Sequence, residues 1–224
     1  MKNLSGIVGI FLLIFLIHSC EKDDKYIIKD VDGNVYTSVT IGTQIWMVEN
    51  FKATKYNDGT AILNVADGDA WNNLSTPAFC WYNNDVSNKA TYGALYNWYA
   101  VNTGKLCPIG WHVPTETEWS VVINYLGGAN IAGGKLKEVG LSHWKEINVG
   151  ATNESGFTAL PGGLRSTFGD FGTLGIYGRW WSSTAYSLDP QFAVSMNIDD
   201  GSAEAYIEQV TYEGNGESVR CLKD

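Results

Sequence analysis

Long apolar runs are scarce in this chain. The one present, Leu4 to Ile17, covers about 14 residues, whereas an α-helix needs about 20 to cross a bilayer core. That length favours a leader over a spanning helix. Positive charge is short as well: 15 Lys and Arg stand against 24 Asp and Glu, a net of −9. So acidic a surface repels phosphate backbones, which argues against nucleic-acid binding, and it disfavours docking on anionic lipid. Metal-ligand spacing is missing: among four cysteines and three histidines there is no CxxC and no HxxxH, so no metal site and no cofactor is implied. Linker-like low-complexity segments and internal repeats are missing too. One domain is the expectation for a chain of this length.

Met1-Lys2-Asn3, the apolar run and the small Ser19 before Cys20 read as a secretory leader over residues 1–19. Ile17-His18-Ser19-Cys20 resembles a bacterial lipobox, which implies Cys20 as the lipidated first residue of the mature chain. Residues 20–29 are then a tether and 30–224 the domain. Glu21-Lys22-Asp23-Asp24 resembles the export signals that send Bacteroidetes lipoproteins to the outer face of the outer membrane. The expected location is the outer membrane, at the cell surface. Without Lys2, 14 basic and 24 acidic side chains leave a mature net charge of −10, so attachment should come from the lipid alone. Cys80, Cys107 and Cys221 remain in the mature chain. In a disulfide-permissive compartment one bridge and one thiol are expected, and the sequence leaves all three pairings open.

Glycine, tryptophan and tyrosine spread along the chain as in a turn-rich, β-leaning domain. Tyr26 to Lys29, the turn Asp30-Val31-Asp32-Gly33-Asn34 and Val35 to Ile41 read as strand, turn, strand. The acids in that turn fail the calcium-loop count, because Ile28 and Val39 fall on ligand positions. Gln44 to Val48 follows as a strand, and 57–77 as an irregular loop. Tyr92, Leu95, Tyr96 and Tyr99 recur at helical spacing and predict a short amphipathic helix. Pro114-Thr115-Glu116-Thr117-Glu118 opens the clearest helix with a capping box, Trp119, Val122, Ile123 and Leu126 forming its apolar face before Gly127-Gly128. A second helix is expected near Ala132 to Val139. Strands are then expected at Phe157 to Leu160, Tyr177 to Thr184, Phe192 to Ile198, Ala203 to Val210 and Ser218 to Leu222.

Several segments in order resemble the Fibrobacter succinogenes major paralogous domain family. They are Asp32-Gly33-Asn34-Val35-Tyr36 through Ile45-Trp46-Met47-Val48-Glu49-Asn50, Tyr92-Gly93-Ala94-Leu95-Tyr96-Asn97-Trp98, Cys107-Pro108-Ile109-Gly110-Trp111-His112-Val113-Pro114-Thr115 and Gly156 to Gly163. Trp180-Trp181-Ser182-Ser183-Thr184 and Ser218-Val219-Arg220-Cys221 complete the pattern. The resemblance implies a bacterial surface or secreted protein and no established activity. The family in turn is similar to the C-type-lectin-like fold of sulfatase-modifying factors, through Pro114 to Trp119 and Asn153-Glu154-Ser155-Gly156-Phe157. It implies an α+β domain of short antiparallel strands with one or two main helices. It also implies a Cys107–Cys221 bridge, with Cys80 a buried thiol. Formylglycine-generating chemistry does not carry over, because Cys221 is the only late cysteine. The Glu-Pro-Asn, Gln-Pro-Asp and Trp-Asn-Asp signatures of calcium-dependent lectins are absent.

No catalytic constellation stands out. Ser182 and Ser183 lack a strand–turn–helix elbow, and Gly169, Gly172, Gly175 and Gly178 lack the strand-then-helix context of a phosphate loop. Asp199-Asp200-Gly201 reads as a hairpin turn rather than a calcium contact, with Asn153 and Glu154 weighed in the same way. His112 reads as a structural histidine. Trp46, Trp98, Trp111 and Trp119 read as core. Trp180 and Trp181 are adjacent on a strand and point to opposite faces, so one of them leaves the main core unless both faces are covered. They are the candidate binding aromatics, with Arg165, Asp170 and Arg179 beside them. The expected function is non-catalytic recognition of a carbohydrate, a cell-surface polymer or a protein partner, with neutral glycans favoured by the acidic surface. A structural envelope component is the alternative, and an enzyme the third reading.

Overall fold

A carboxylate organises the first turn of the domain. Asp30 accepts the backbone N–H groups of Asp32 and Asn34 at 3.0 and 2.9 Å and the Tyr36 hydroxyl at 2.7 Å, an Asx-type arrangement that needs no metal. The short strands it joins, Ile28–Lys29 and Val35–Tyr36, pair antiparallel. The computed structural model describes residues 27–224; the leader, Cys20 and the acidic run Glu21-Lys22-Asp23-Asp24 lie outside the described residues, while the end of the expected tether, Ile28–Lys29, is part of the domain. The architecture is α+β, with several small sheets and few helices.

The next hairpin, Ser38–Ile41 with Gln44–Met47, belongs to a four-stranded antiparallel sheet completed by Leu222–Lys223 and Trp111–His112. The C-terminal strand thus inserts between elements from the start and the middle of the chain. Cys107–Cys221 secures that insertion across 114 positions, as the resemblance implied, and Cys80 is a buried free thiol pushed up to about 12 by its burial.

The capping box forms as expected. Thr115 Oγ1 accepts the Glu118 N–H at 3.2 Å, the Glu118 carboxylate accepts the Thr115 N–H at 2.8 Å, and the helix Glu116–Tyr125 follows. Its Trp119, Val122 and Ile123 are buried, and a second helix, Ala129–Leu136, packs against it. Both cover one face of the central antiparallel sheet, Tyr177–Ala185, Phe192–Asp199 and Ala205–Tyr212. The Asp199-Asp200-Gly201 segment opens the hairpin between the last two strands, as read.

The helix expected over Tyr92 to Tyr99 is broken into a turn at Lys89–Tyr92, a strand at Leu95–Tyr96 and a turn at Trp98–Val101. Gly93 is the cause. It sits at φ +75°, and a Cβ there would lie 2.7 Å from the Phe51 carbonyl, so the chain swings outward where the helix would continue. Asn97 then starts a new turn, its side-chain oxygen accepting the N–H groups of Ala78 and Ala100 at 2.9 and 3.2 Å. Phe157 to Leu160 is not a strand; Ala159 makes a lone bridge to Lys137. The 57–77 loop holds a short strand, Leu63–Asn64, and one helical turn, Gly68–Asn72. Ser218 to Leu222 is strand only at Leu222; before it the segment makes a Trp180–Ser218 bridge and accepts the Phe51 and Met47 N–H groups at Val219 and Cys221.

Candidate functional site

Both tryptophans of the candidate pair are 0 % exposed. Trp180 belongs to the apolar cluster under the two helices and Trp181 to the cluster around Tyr96 and Trp98. Their N–H groups end inside the protein, Trp180 on the Asn50 side-chain oxygen at 2.9 Å and Trp181 on the Tyr96 carbonyl at 2.6 Å. The pair as a ligand-binding surface is therefore corrected: both faces of the strand are covered, so neither ring reaches solvent. Arg165 is corrected on the same ground. It is 1 % exposed, sandwiched against Trp71 and Phe171, and bonded to the carbonyls of Val65, Ala66 and Gly169 at 2.6, 2.9 and 3.0 Å. Asp170 is exposed in the hairpin beyond it. Arg179 is half-buried on the central sheet, stacked on Tyr177 at 4.7 Å and bonded to Asn197 at 2.9 Å. The five residues split between a loop hairpin and the sheet rather than forming one site.

The other candidates also have inward duties. Asn153 exchanges hydrogen bonds with Thr158 at 2.9 and 3.0 Å. The Ser182 hydroxyl accepts the Thr184 N–H at 3.0 Å. His112 lies between Asp224 at 2.6 Å and Glu118 at 3.0 Å. Lys137 is fully buried, and its ammonium donates to the carbonyls of Val149, Asp199 and Ser202 at 2.8, 3.0 and 2.7 Å. Burial pulls Lys137 down to about 8 against the pull of Asp199 and Asp200.

Three distant stretches meet instead around an open cleft of about 330 Å³, lined by Tyr82, Asn83, Tyr92, His143, Lys145 and Thr173 to Ile176. This is within the size range of small-molecule sites. One wall is the tight turn at Tyr82–Asn84, where Asn83 adopts φ +54°. Tyr92, ending the turn that Gly93 interrupts, supplies an aromatic ring, and His143 meets it edge-on at 5.8 Å. The opposite wall is a loop anchored by the buried Trp144, whose N–H reaches the Ala159 carbonyl at 3.0 Å. Asn148 closes that loop by donating to the carbonyls of Glu138 and Gly140, both at 2.8 Å.

The polar groups of this cleft are orderly. His143 Nδ1 faces the Glu138 carboxylate at 2.8 Å; a carboxylate only accepts, so Nδ1 carries the hydrogen and Nε2 is left for an outside partner. Burial, with Glu138 nearby, raises the Tyr92 hydroxyl above its ordinary range, so it stays a donor. Thr173 holds φ +62°, a left-handed backbone that β-branched residues rarely adopt, and its hydroxyl oxygen is buried without a hydrogen-bond partner. Such strain costs about 1–3 kcal/mol and concentrates at binding sites. Two tyrosines, a histidine, a lysine and the Asn83 amide share the cleft's lining, a mixture that suits a ligand with an apolar face and several hydroxyls.

Reasoning from sequence missed Tyr82, Asn83, His143, Lys145 and Thr173. Tyr92 was read as part of a helix face. The one usable signal was the glycine-rich run ending at Gly178, which marks a loop without saying what it faces.

No curated protein and no solved structure matches this chain. The model of the Fibrobacter succinogenes major domain matches residues 39–223, from the first hairpin of the four-stranded sheet to its C-terminal strand. The chain belongs to the Fibrobacter succinogenes major domain family.

Proposed function

We propose that this protein is a lipid-anchored surface lipoprotein whose domain, built on a C-type-lectin-like plan, is a non-catalytic recognition module. The ligand class is carbohydrate, in a free glycan or a cell-surface polymer, ahead of a protein partner. The observation that carries this reading is the cleft lined by Tyr92 and Lys145, with His143 held through Nδ1 by Glu138 and a strained Thr173 in its lining. The lectin-like plan is supported by the capped helix after Pro114, the Cys107–Cys221 tie and the long antiparallel sheet. The surface location rests on the lipobox and the acidic tether. Glycan-array binding of the purified protein tests recognition. Tyr92→Ala should lower the affinity of any bound glycan by about 1–3 kcal/mol, as for an interface anchor; a flat array would favour a structural envelope component instead. Cys20→Ser should move the protein from the membrane to the soluble fraction, and unchanged membrane association would contradict the anchor.

A further inference from the structure

The cleft holds a cation without a counter-ion, whereas three other lysines among the described residues face carboxylates. Lys55 faces Asp32 at 3.3 Å, Lys105 faces Asp58 at 2.9 Å and Lys135 faces Glu154 at 3.4 Å. Lys137 is held by three carbonyls. The Lys145 ammonium has no carboxylate, carbonyl or ring partner among the described residues.

Its placement is nevertheless constrained. The Lys145 N–H donates to the Gly175 carbonyl at 2.7 Å. Its stem crosses Gly175 so closely that a Cβ there would lie 2.9 Å from Lys145 Cγ and 3.1 Å from Cε. Gly175 is at φ +83°, so the bare backbone serves both the turn and the lysine above it. Lys145 thus lines the cleft in company with Tyr92 and His143.

We propose that the cleft recognises acidic sugars of the uronic-acid class, the sugar carboxylate pairing with Lys145 and the C–H face of its ring lying on Tyr92. This rests on the reading of the cleft as the recognition site. Hydroxyls of the sugar then meet His143 Nε2 and the Asn83 amide. The acidity of the whole chain does not oppose this. At physiological ionic strength, exposed charges beyond about 8 Å are largely screened, so an anion in contact with Lys145 responds mainly to Lys145. Glu138, the carboxylate behind His143, is already engaged by the imidazole at 2.8 Å.

The test compares the full chain's binding to oligomers of galacturonate, glucuronate and mannuronate with binding to their methyl esters of equal length, at low and high salt. At least one acid should bind about tenfold more tightly than its ester at low salt, the difference expected from one charged hydrogen bond. The preference should shrink at high salt. It should vanish in Lys145→Met, which keeps an apolar stem over Gly175, with the melting temperature unchanged as the control for folding. Equal binding of acid and ester, a preference that survives Lys145→Met, or binding of neutral sugars only would overturn the acidic-sugar assignment and leave the recognition reading standing. Failure of every sugar to bind, acidic and neutral alike, would overturn both.

Discussion

At positions 180 and 181 a single strand stitches two apolar clusters together. Trp180 stands opposite Met196 and meets Phe157 edge-on at 6.0 Å, while Trp181 stands opposite Ser195 and enters the other cluster. Arg220 completes the junction. Fully buried, it donates to the Phe157 carbonyl and to Asn50 at 2.8 Å, and its guanidinium lies 4.1 Å from the Phe157 ring centre. Burial pulls Arg220 down to about 9, which keeps it cationic at neutral pH. Truncating either tryptophan empties a large volume and removes one of the two hydrogen bonds its acceptor receives, Arg220 still donating to Asn50 and the Glu217 N–H to the Tyr96 carbonyl. Trp180→Ala and Trp181→Ala should each cost about 3–5 kcal/mol in chemical denaturation. A loss below about 1 kcal/mol for either would show that its pocket is not the closed core described. A tryptophan pair on a strand could be read from sequence as one ring in and one out; only the cover on both faces, supplied by residues far along the chain, makes both of them core.

Elements are joined here by titrating groups. His112 links Glu118, at the start of the capped helix, to Asp224, beyond the C-terminal strand. Burial works against its charge, but the hydrogen bonds to Asp224 and Glu118 outweigh it and raise His112 above its usual value. Glu217 is fully buried in the segment beside the central sheet, with neither carboxyl oxygen hydrogen-bonded; burial pushes it up to about 7 against the pull of Arg179. Both groups bind protons more tightly folded than unfolded. The Glu217 contribution is therefore present below the unfolded carboxyl value of 4.5 and is lost as pH rises to about 7. That of His112 is complete below 6.5 and is lost as pH passes its raised value. Stability should fall by about 3 kcal/mol over the Glu217 window, from a shift of roughly 2.5 units. Glu217→Gln should flatten that fall in a denaturant midpoint–pH profile, and an unchanged slope would sink the assignment. The capping box next to His112 was legible in the sequence because its partners are three residues apart. The Tyr92 to Tyr99 periodicity misled because a distant carbonyl, that of Phe51, decides where Gly93 turns.

Over the whole molecule, both ends of the domain are brought to one sheet, and Cys107–Cys221 locks its C-terminal strand to the middle of the chain, closing 114 positions. Reduction should cost about 4–5 kcal/mol in the loop-entropy picture, and Cys80 should stay unreactive to thiol reagents until the domain unfolds. Rapid labelling of Cys80 in the native protein would contradict its place in the core. The α+β class and the bridge could be anticipated from ordered motifs. The cleft could not, because Tyr82 to Tyr92, His143 to Lys145 and Thr173 to Ile176 are neighbours only once the fold is complete. Recognition at that cleft is the central claim, and amide chemical-shift mapping during titration with a bound sugar tests it most directly. The account predicts that the shifts concentrate at Tyr92, His143, Lys145 and Thr173. Shifts confined to the Arg179 face of the central sheet, or to any surface away from the cleft, would contradict it.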